Sequence, residues 1–358
     1  MTSRRPIPVV LLSLLIGGSA CGGESAADTR GTEAPLVFLD SVRLEESDAI
    51  LVAKPNAIAV GGDGAVFISD VGERRVLRVD RDGRNLRVIA GSGSGPGEVS
   101  SPSSLTIVGD TALVVSGGGK RLLVFDVASG AHRSTRTVTF PAGLFGTSSD
   151  AVLMSALLPD SGTSFAVLAL TDSLPTRGGS MPSLYKENPL LAQAFNNIAL
   201  AHEGADVIGI IEGGNVLYRW RGRQVIDSIV VQPVARRGAR PDYILELLRD
   251  PTKAPTLVFQ WSVPLQTAPL SHGRTGIVFF EPTLKGPDYS GPYYLQIAEW
   301  RGHRACEEVK LPVPEDTPVR FAFRGDTLTA IVQHLSAGES GSTSLLRWRI
   351  GYTPCKAS

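Results

Sequence analysis

A unit of strand-and-turn text occurs twice in nearly the same form, and this repetition limits the folds open to the chain more than any other feature. The first copy runs Asn56-Ala-Ile-Ala-Val-Gly-Gly-Asp-Gly64, Ala65-Val-Phe-Ile-Ser-Asp70 and Arg75-Val-Leu-Arg-Val-Asp-Arg-Asp-Gly83. The second runs Ser104-Leu-Thr-Ile-Val-Gly-Asp110, Ala112-Leu-Val-Val-Ser-Gly117 and Arg121-Leu-Leu-Val-Phe-Asp126. Arg75 and Arg121 are 46 residues apart, Asp63 and Asp110 47. Each copy reads as three short apolar strands separated by turns rich in Gly and Asp. One such unit cannot bury its own apolar faces, so it must stack against further copies of itself.

Four weaker copies follow the same template. The third has Ala142-Gly-Leu-Phe145, Ala151-Val-Leu-Met-Ser155 and Phe165-Ala-Val-Leu-Ala-Leu170. The fourth has Asn197-Ile-Ala-Leu-Ala-His202, Val207-Ile-Gly-Ile-Ile211 and Val216-Leu-Tyr-Arg-Trp220. The fifth has Ala268-Pro-Leu-Ser-His272, Gly276-Ile-Val-Phe-Phe280 and Tyr294-Leu-Gln-Ile-Ala298, and the sixth Val319–Phe323, Leu328–Val332 and Leu345–Ile350. Outer strands are read at Leu86–Ala90, Thr135–Phe140, Asp227–Val231 and Glu308–Leu311; the third unit's lies within 172–188. The sixth unit ends after its third strand. Asp40-Ser-Val-Arg-Leu44, similar to Asp227-Ser-Ile-Val-Val231, supplies the missing one and closes the ring without a free edge. The expected fold is all-β, a six-bladed β-propeller of four-stranded blades over residues 36–358.

Pro55-Asn-Ala-Ile-Ala-Val, Phe67-Ile-Ser-Asp70 and Arg75-Val-Leu-Arg-Val-Asp80 with Gly83 resemble an NHL repeat. The glycine run from Gly91 to Gly97, leading to Pro102, is similar to the linkers between blades in such propellers. The resemblance is specific over about residues 55–130 and diffuse beyond. It implies six blades. It does not fix an activity, because the family includes scaffolds, binding modules, lactonases and lyases.

The N-terminus carries an export address. Arg4 and Arg5 precede an apolar run from Ile7 to Ile16 and then Gly17-Gly18-Ser19-Ala20-Cys21, the layout of a secretory signal peptide over residues 1–20. The run is shorter than the roughly 20 residues a spanning helix needs. Gly18-Ser19-Ala20-Cys21 also resembles a bacterial lipobox, although Gly18 departs from the larger aliphatic usual there. That reading makes Cys21 the lipid attachment site and 21–35 a flexible tether to an envelope membrane. An ordinary signal peptide ending on a chance cysteine is the alternative.

Two further cysteines remain, Cys306 and Cys355. In an exported chain they form either a disulfide pinning the C-terminus or two buried thiols. Lys+Arg and Asp+Glu are 35 each, so no charge bias points to nucleic acid, and a monomer is expected. Between the fourth and fifth units an insertion at about 236–262 breaks the pattern. Within it, Pro241 to Asp250 reads as a short amphipathic helix.

In a propeller, the loops from second to third strand and from one blade to the next gather on one face. Here they would bring together Asp70, Glu73, Arg74, Lys120, Glu212, Glu281, Asp288, Tyr289 and His334. Either a polar ligand site or an ordinary solvated surface follows from these residues. No metal ligand set and no cofactor is assigned. A divalent metal has weak candidates in Asp80 and Asp82 for calcium, and in His202 with His272, read as first-turn residues of adjacent blades, for zinc. No Gly-x-Ser-x-Gly elbow or Gly-x-x-x-x-Gly-Lys loop is present. The expected function is a membrane-tethered binding propeller, without evident catalysis, for a protein, glycan or small ligand. A lactonase-like metal-dependent hydrolase or lyase at the axial face is the alternative. A third reading, a structural part of an envelope complex, predicts an exposed apolar patch near the insertion.

Overall fold

A computed structural model of the protein describes residues 35–118, 120–138, 145–146, 151–158, 161–187, 197–231, 246, 249–250, 262–283, 290–306, 308–334, 341–352 and 355. Six antiparallel sheets form a six-bladed β-propeller. Blade 1 is β2 (Pro55–Val60), β3 (Val66–Asp70), β4 (Arg75–Val79) and β5 (Arg87–Ala90). Blade 2 is β6 (Leu105–Val108), β7 (Ala112–Ser116), β8 (Arg121–Asp126) and β9 (His132–Thr137). Blade 3 is β10 (Phe145–Gly146), β11 (Ala151–Leu158), β12 (Thr163–Ala169) and β13 (Thr176–Ser180). Blade 4 is β14 (Ile198–Glu203), β15 (Asp206–Ile211), β16 (Val216–Arg221) and β17 (Gln224–Val230). Blade 5 is β18 (Val263–Leu270), β19 (Arg274–Phe280), β20 (Tyr293–Glu299) and an outer strand in two pieces, β21 (Arg304–Ala305) and β22 (Val309–Lys310). Blade 6 is β23 (Arg320–Arg324), β24 (Thr327–His334) and β25 (Ser342–Ile350), completed by β1 (Leu36–Arg43).

The continuous apolar text of the second strands has a direct cause. β3, β7, β15 and β19 are buried at every position, because each sheet is packed between two neighbours. Side chains alternate along a strand, so adjacent residues serve different interfaces. Phe67 packs toward blade 2 with Leu113 and Val115, while Val66 and Ile68 pack toward blade 6 with Ile331 and Leu345. The same division recurs round the ring: Leu153 packs with blade 4 and Val152 with blade 2, Ile277 with blade 4 and Val278 with blade 6. The hydrophobic core is thus six separate clusters, one per interface between blades. The outer strands revert to half-exposed alternation, clearest in His132–Thr137.

The N-terminal strand lies where the repeat arithmetic places it, beside the last strand, but begins four residues earlier, at Leu36 instead of Asp40. Leu36 pairs with Ile350 and Arg43 with Ser344, with a bulge between Phe38 and Asp40. The bulge inserts an extra residue and resets the alternation, which hides Leu36–Leu39 from a period-of-two reading. Blade 3's outer strand is Thr176–Ser180. Its Gly178 and Gly179 lie so close to the Phe165 ring that a Cβ on either would sit 2.3 or 2.4 Å from it. His272 is not a strand residue like His202; it lies in the turn Ser271–Gly273, with φ +61°. Of the 236–262 insertion, Glu246, Arg249, Asp250 and Ser262 are described, and the Asp250 N–H donates to the Glu246 carbonyl at 2.9 Å, one turn of helix. The rest of that helix, and any apolar patch beside it, lie outside the described residues, as do Asp288 and Tyr289.

Cys306, between the two pieces of blade 5's outer strand, is joined to Cys355, with Cα atoms 4.8 Å apart and 49 residues between them in sequence. A bridge closing a loop of that size stabilises a fold by about 2–4 kcal/mol, chiefly through the unfolded chain. Reduction, or the pair of changes Cys306→Ser and Cys355→Ser, is expected to lower stability by that amount in denaturant titrations of the oxidised protein. Labelling of both thiols in that protein after unfolding without reductant would show the bridge absent.

Candidate functional site

Three of the acidic residues expected on the loop face serve as internal latches. Asp70, fully buried at the end of β3, accepts hydrogen bonds from the backbone N–H of Lys54 (2.8 Å) and Ala53 (3.2 Å) and from Arg75 Nε (3.2 Å). Glu212, just after β15, accepts from Asn197 Nδ2 at 2.7 Å. Glu281, just after β19, bonds the Ser262 hydroxyl. Ala53-Lys54, Asn197 and Ser262 each precede the first strand of the same blade. In each case the end of the second strand fastens the segment leading into the first. In blade 2 the same position is held by Ser116 and Ser103, their hydroxyls 3.3 Å apart. Satisfying buried backbone N–H groups needs an acceptor here, and a carboxylate is the strongest available.

The other residues expected on this face stay apart. Glu73 lines a shallow groove with Glu46 and Asp48, Arg74 sits exposed in a turn with φ +51°, and Lys120 and His334 are exposed. The Glu46 carboxylate is itself taken up by the N–H groups of Val52 (2.7 Å) and Thr343 (2.9 Å). Among the described residues no group of three His, Cys, Asp or Glu is arranged to hold a metal ion. Asp80 is engaged in its own turn. It accepts from Asn85 Nδ2 at 2.7 Å and pairs with Arg78, and these contacts, Asn85 foremost, hold its carboxyl below the usual range. The His272 ring lies tilted against Tyr352, ring centres 4.9 Å apart and planes inclined by 55°.

The main cavity lies on the axis, toward the opposite face from the one expected to bind ligand. Its volume is about 570 Å³, and all six inner strands contribute to its wall. Ile58, Val60, Leu105, Ile107, Ala322 and Phe323 contribute its apolar lining. Asp110, His202 and Arg324 bring polar groups to the end where the turns between first and second strands lie, and Gln266 lies deeper, opposite Val278. The turns of blades 2 and 6 are short and glycine-rich, with Gly109 and Asp110 at φ +57° and +54° and Gly325 at +53°, so among the described residues nothing bulky closes the mouth. Arg324 Nη1 donates to Asp110 Oδ1 at 3.0 Å and to the Val60 carbonyl at 3.4 Å. Gly62 leaves room for that guanidinium, since a Cβ there would stand 3.1 Å from Arg324 Nη2. Deeper along the channel, Thr106 Oγ1 donates to the Gly146 carbonyl at 3.2 Å.

Arg320 marks the far end of the same inner strand. Burial holds its guanidinium below the usual arginine range, and its Nε donates to the Asn56 carbonyl at 2.8 Å. Beside the mouth, burial works to raise Asp206, but hydrogen bonds from Arg221 and Arg219 outweigh it and keep the carboxyl low. The channel is therefore flanked by two arginines on β23, one committed to a backbone carbonyl and one to a half-exposed ion pair. The sequence reading missed Arg324 and Asp110 because each ends a first strand or begins a turn, where a charged residue is unremarkable.

No family model and no curated protein matches the chain. Similarity to solved structures is confined to shape. A Bacteroides fragilis chain described as a "putative exported protein" superposes with a TM-score of 0.61 at 13% identity, over 89% of this chain and 96% of that one. The WD40 repeats of RRP9 match at 0.49 and 13% identity, over 87% and 98%, too distant to carry an argument. The chain shares its fold with the Bacteroides fragilis protein. Among the described residues no helix is long and apolar enough to cross a membrane.

The latch geometry makes a prediction that a ligand role for the same residue does not. Asp70→Ala strips the backbone N–H groups of Ala53 and Lys54 and the Arg75 guanidinium of their buried acceptor. It is expected to cost about 3 kcal/mol, the range for breaking a buried charged hydrogen-bond set. Chemical denaturation measures it; unchanged stability would return Asp70 to the list of ligand-binding candidates.

Proposed function

We propose that the chain is an exported, lipid-tethered binding protein, an NHL-like propeller that takes a small ligand into its axial cavity from the turn face. The carrying observation is the cavity itself, a well of about 570 Å³ with a mixed polar and apolar lining, whose mouth holds Arg324 and Asp110 with His202. Apolar side chains with a few placed polar groups are the usual make-up of a small-molecule site. The rigidity comes from a closed ring in which blades 1, 2, 4 and 5 are latched, so ligand binding does not have to order the loops. Export is supported by the N-terminal signal and by the name given to the Bacteroides fragilis neighbour. Lipidation is supported by Gly18-Ser19-Ala20-Cys21. The metal-dependent hydrolase or lyase reading is weaker, because the candidate metal ligands among the described residues of the cavity are one aspartate, one histidine and one glutamine. Three or four converging ligands are what a metal requires.

A thermal-shift panel of small carboxylates, phosphates and neutral sugars tests the cavity. A ligand present at a hundred times its Kd stabilises by about 2.7 kcal/mol. Arg324→Gln is expected to abolish the shift while leaving unliganded stability within about 1 kcal/mol, since exposed pairs contribute that little. No shift from any class would count against the axial site. Separately, Cys21→Ser is expected to move the protein from the membrane to the soluble fraction of the envelope, and retention on the membrane would rule out lipid as the anchor.

A further inference from the structure

The first described residues lie on the same face as the channel mouth. β1 starts at Leu36 opposite Ile350, the Gly351 N–H donates to the Pro35 carbonyl at 3.2 Å, and the Ile350 N–H donates to the Asp326 carbonyl at 2.8 Å in the first turn of blade 6. A chain attached at Cys21 therefore reaches the ring at its turn face. The fifteen residues from Cys21 to Leu36 span about 50 Å at most when fully extended. That face also gathers most of the large apolar side chains left in solvent. Of the nine exposed ones among the described residues, Phe38, Leu39, Leu174, Val225, Ile226 and Tyr352 lie at or near this end of their blades. All six are 42–66% exposed. Leu51 and Val230 lie toward the opposite face and Val88 at mid-height.

Their arrangement says what kind of partner suits them. Phe38, Leu39 and Tyr352 belong to blade 6, Leu174 to the outer turn of blade 3 across the ring, and Val225 with Ile226 to the start of the outer strand of blade 4. A protein partner is met by one contiguous apolar core with a polar rim. Separated footings around a ring are instead what a plane touches. Tyr352, with an apolar ring and a polar tip, and the exposed arginines Arg221, Arg223 and Arg349 beside these footings are residue types that sit at a lipid headgroup boundary.

We propose that the turn face of the propeller lies on the lipid surface, with Phe38, Leu39, Leu174, Val225, Ile226 and Tyr352 as its apolar footing. The axial cavity then opens toward the bilayer. The proposal rests on the lipid-tether reading above and adds an orientation to it.

The test uses the full acylated chain in vesicles of phosphatidylethanolamine and phosphatidylglycerol at a ratio of about 3:1, a composition chosen for its negative surface. Bimane is attached singly to Leu174→Cys, Ile226→Cys, Leu51→Cys and Val230→Cys, and nitroxide-bearing lipids serve as quenchers. Far-ultraviolet circular dichroism and melting curves verify that each variant is folded. Quenching several-fold stronger at 174 and 226 than at 51 and 230 supports the orientation. Equal quenching at both ends, with the protein floating on the vesicles and Cys21 acylated by mass spectrometry, overturns the orientation and leaves the tether intact. Failure of the folded protein to float, with Cys21 unmodified, overturns the tether reading, and the orientation falls with it.

Discussion

Each blade buries both of its faces, so a blade without a neighbour on either side is exposed along an entire core. The pairing of Leu36–Arg43 with Ser342–Ile350 prevents this, because it makes the first and last segments of the chain one sheet. The seam is reinforced at several depths. Asp40 takes Arg347 Nη1 at 3.1 Å, Glu46 holds the Thr343 N–H at 2.9 Å, and Gln333 Nε2 donates to the Val52 carbonyl at 2.6 Å. At the axis, Arg320 and Arg324 both reach from blade 6 to carbonyls of blade 1. A covalent ring-closing bond is unnecessary when so many long-range polar contacts flank the packed cluster of Val66, Ile68, Ile331 and Leu345.

Closure of this kind divides the two faces by task. On one, the carboxylates of Asp70, Glu212 and Glu281 hold the connections between blades in place. Charged residues there look like a binding surface in sequence, yet these three are consumed by the scaffold. The other face carries the short turns between strands, where Asp326 accepts the Ser271 N–H at 2.8 Å. Side chains such as Arg324 and His202 are placed there at the end of a channel. A similar economy operates at Gly178 and Gly179, which give up side chains so that Phe165 can lie edge-on to Trp220, ring centres 5.4 Å apart.

The architecture was legible because propeller packing writes itself into sequence. Second strands must be apolar at every position, which singles out Val66–Ile68 and Ile208–Ile211, and tight turns require Gly and Asp at fixed offsets. Legibility failed where packing did not dictate residue type. The Gly178-Gly179 strand carries no apolar pattern, the bulge at Leu39 breaks the alternation of the closing strand, and blade 5's outer strand is split around Cys306. The site was harder still. Whether Asp70 or Asp110 meets solvent depends on which end of the blade it occupies and on backbone donors 16 or 17 residues away, and a linear pattern shows neither.

The closing pair of strands has a consequence for how the protein is made. Asp40 and Arg347 are 307 residues apart, so β1 is made before the other described strands of the propeller and its partner after them. Five blades can acquire their hydrogen bonds as they appear, but the seam cannot form until blade 6 is complete. Contacts of such separation form late because loop closure has to precede any gain from them. A nascent ring of this design therefore stays unlocked while its blades are made, and becomes rigid only when the last strand of blade 6 arrives.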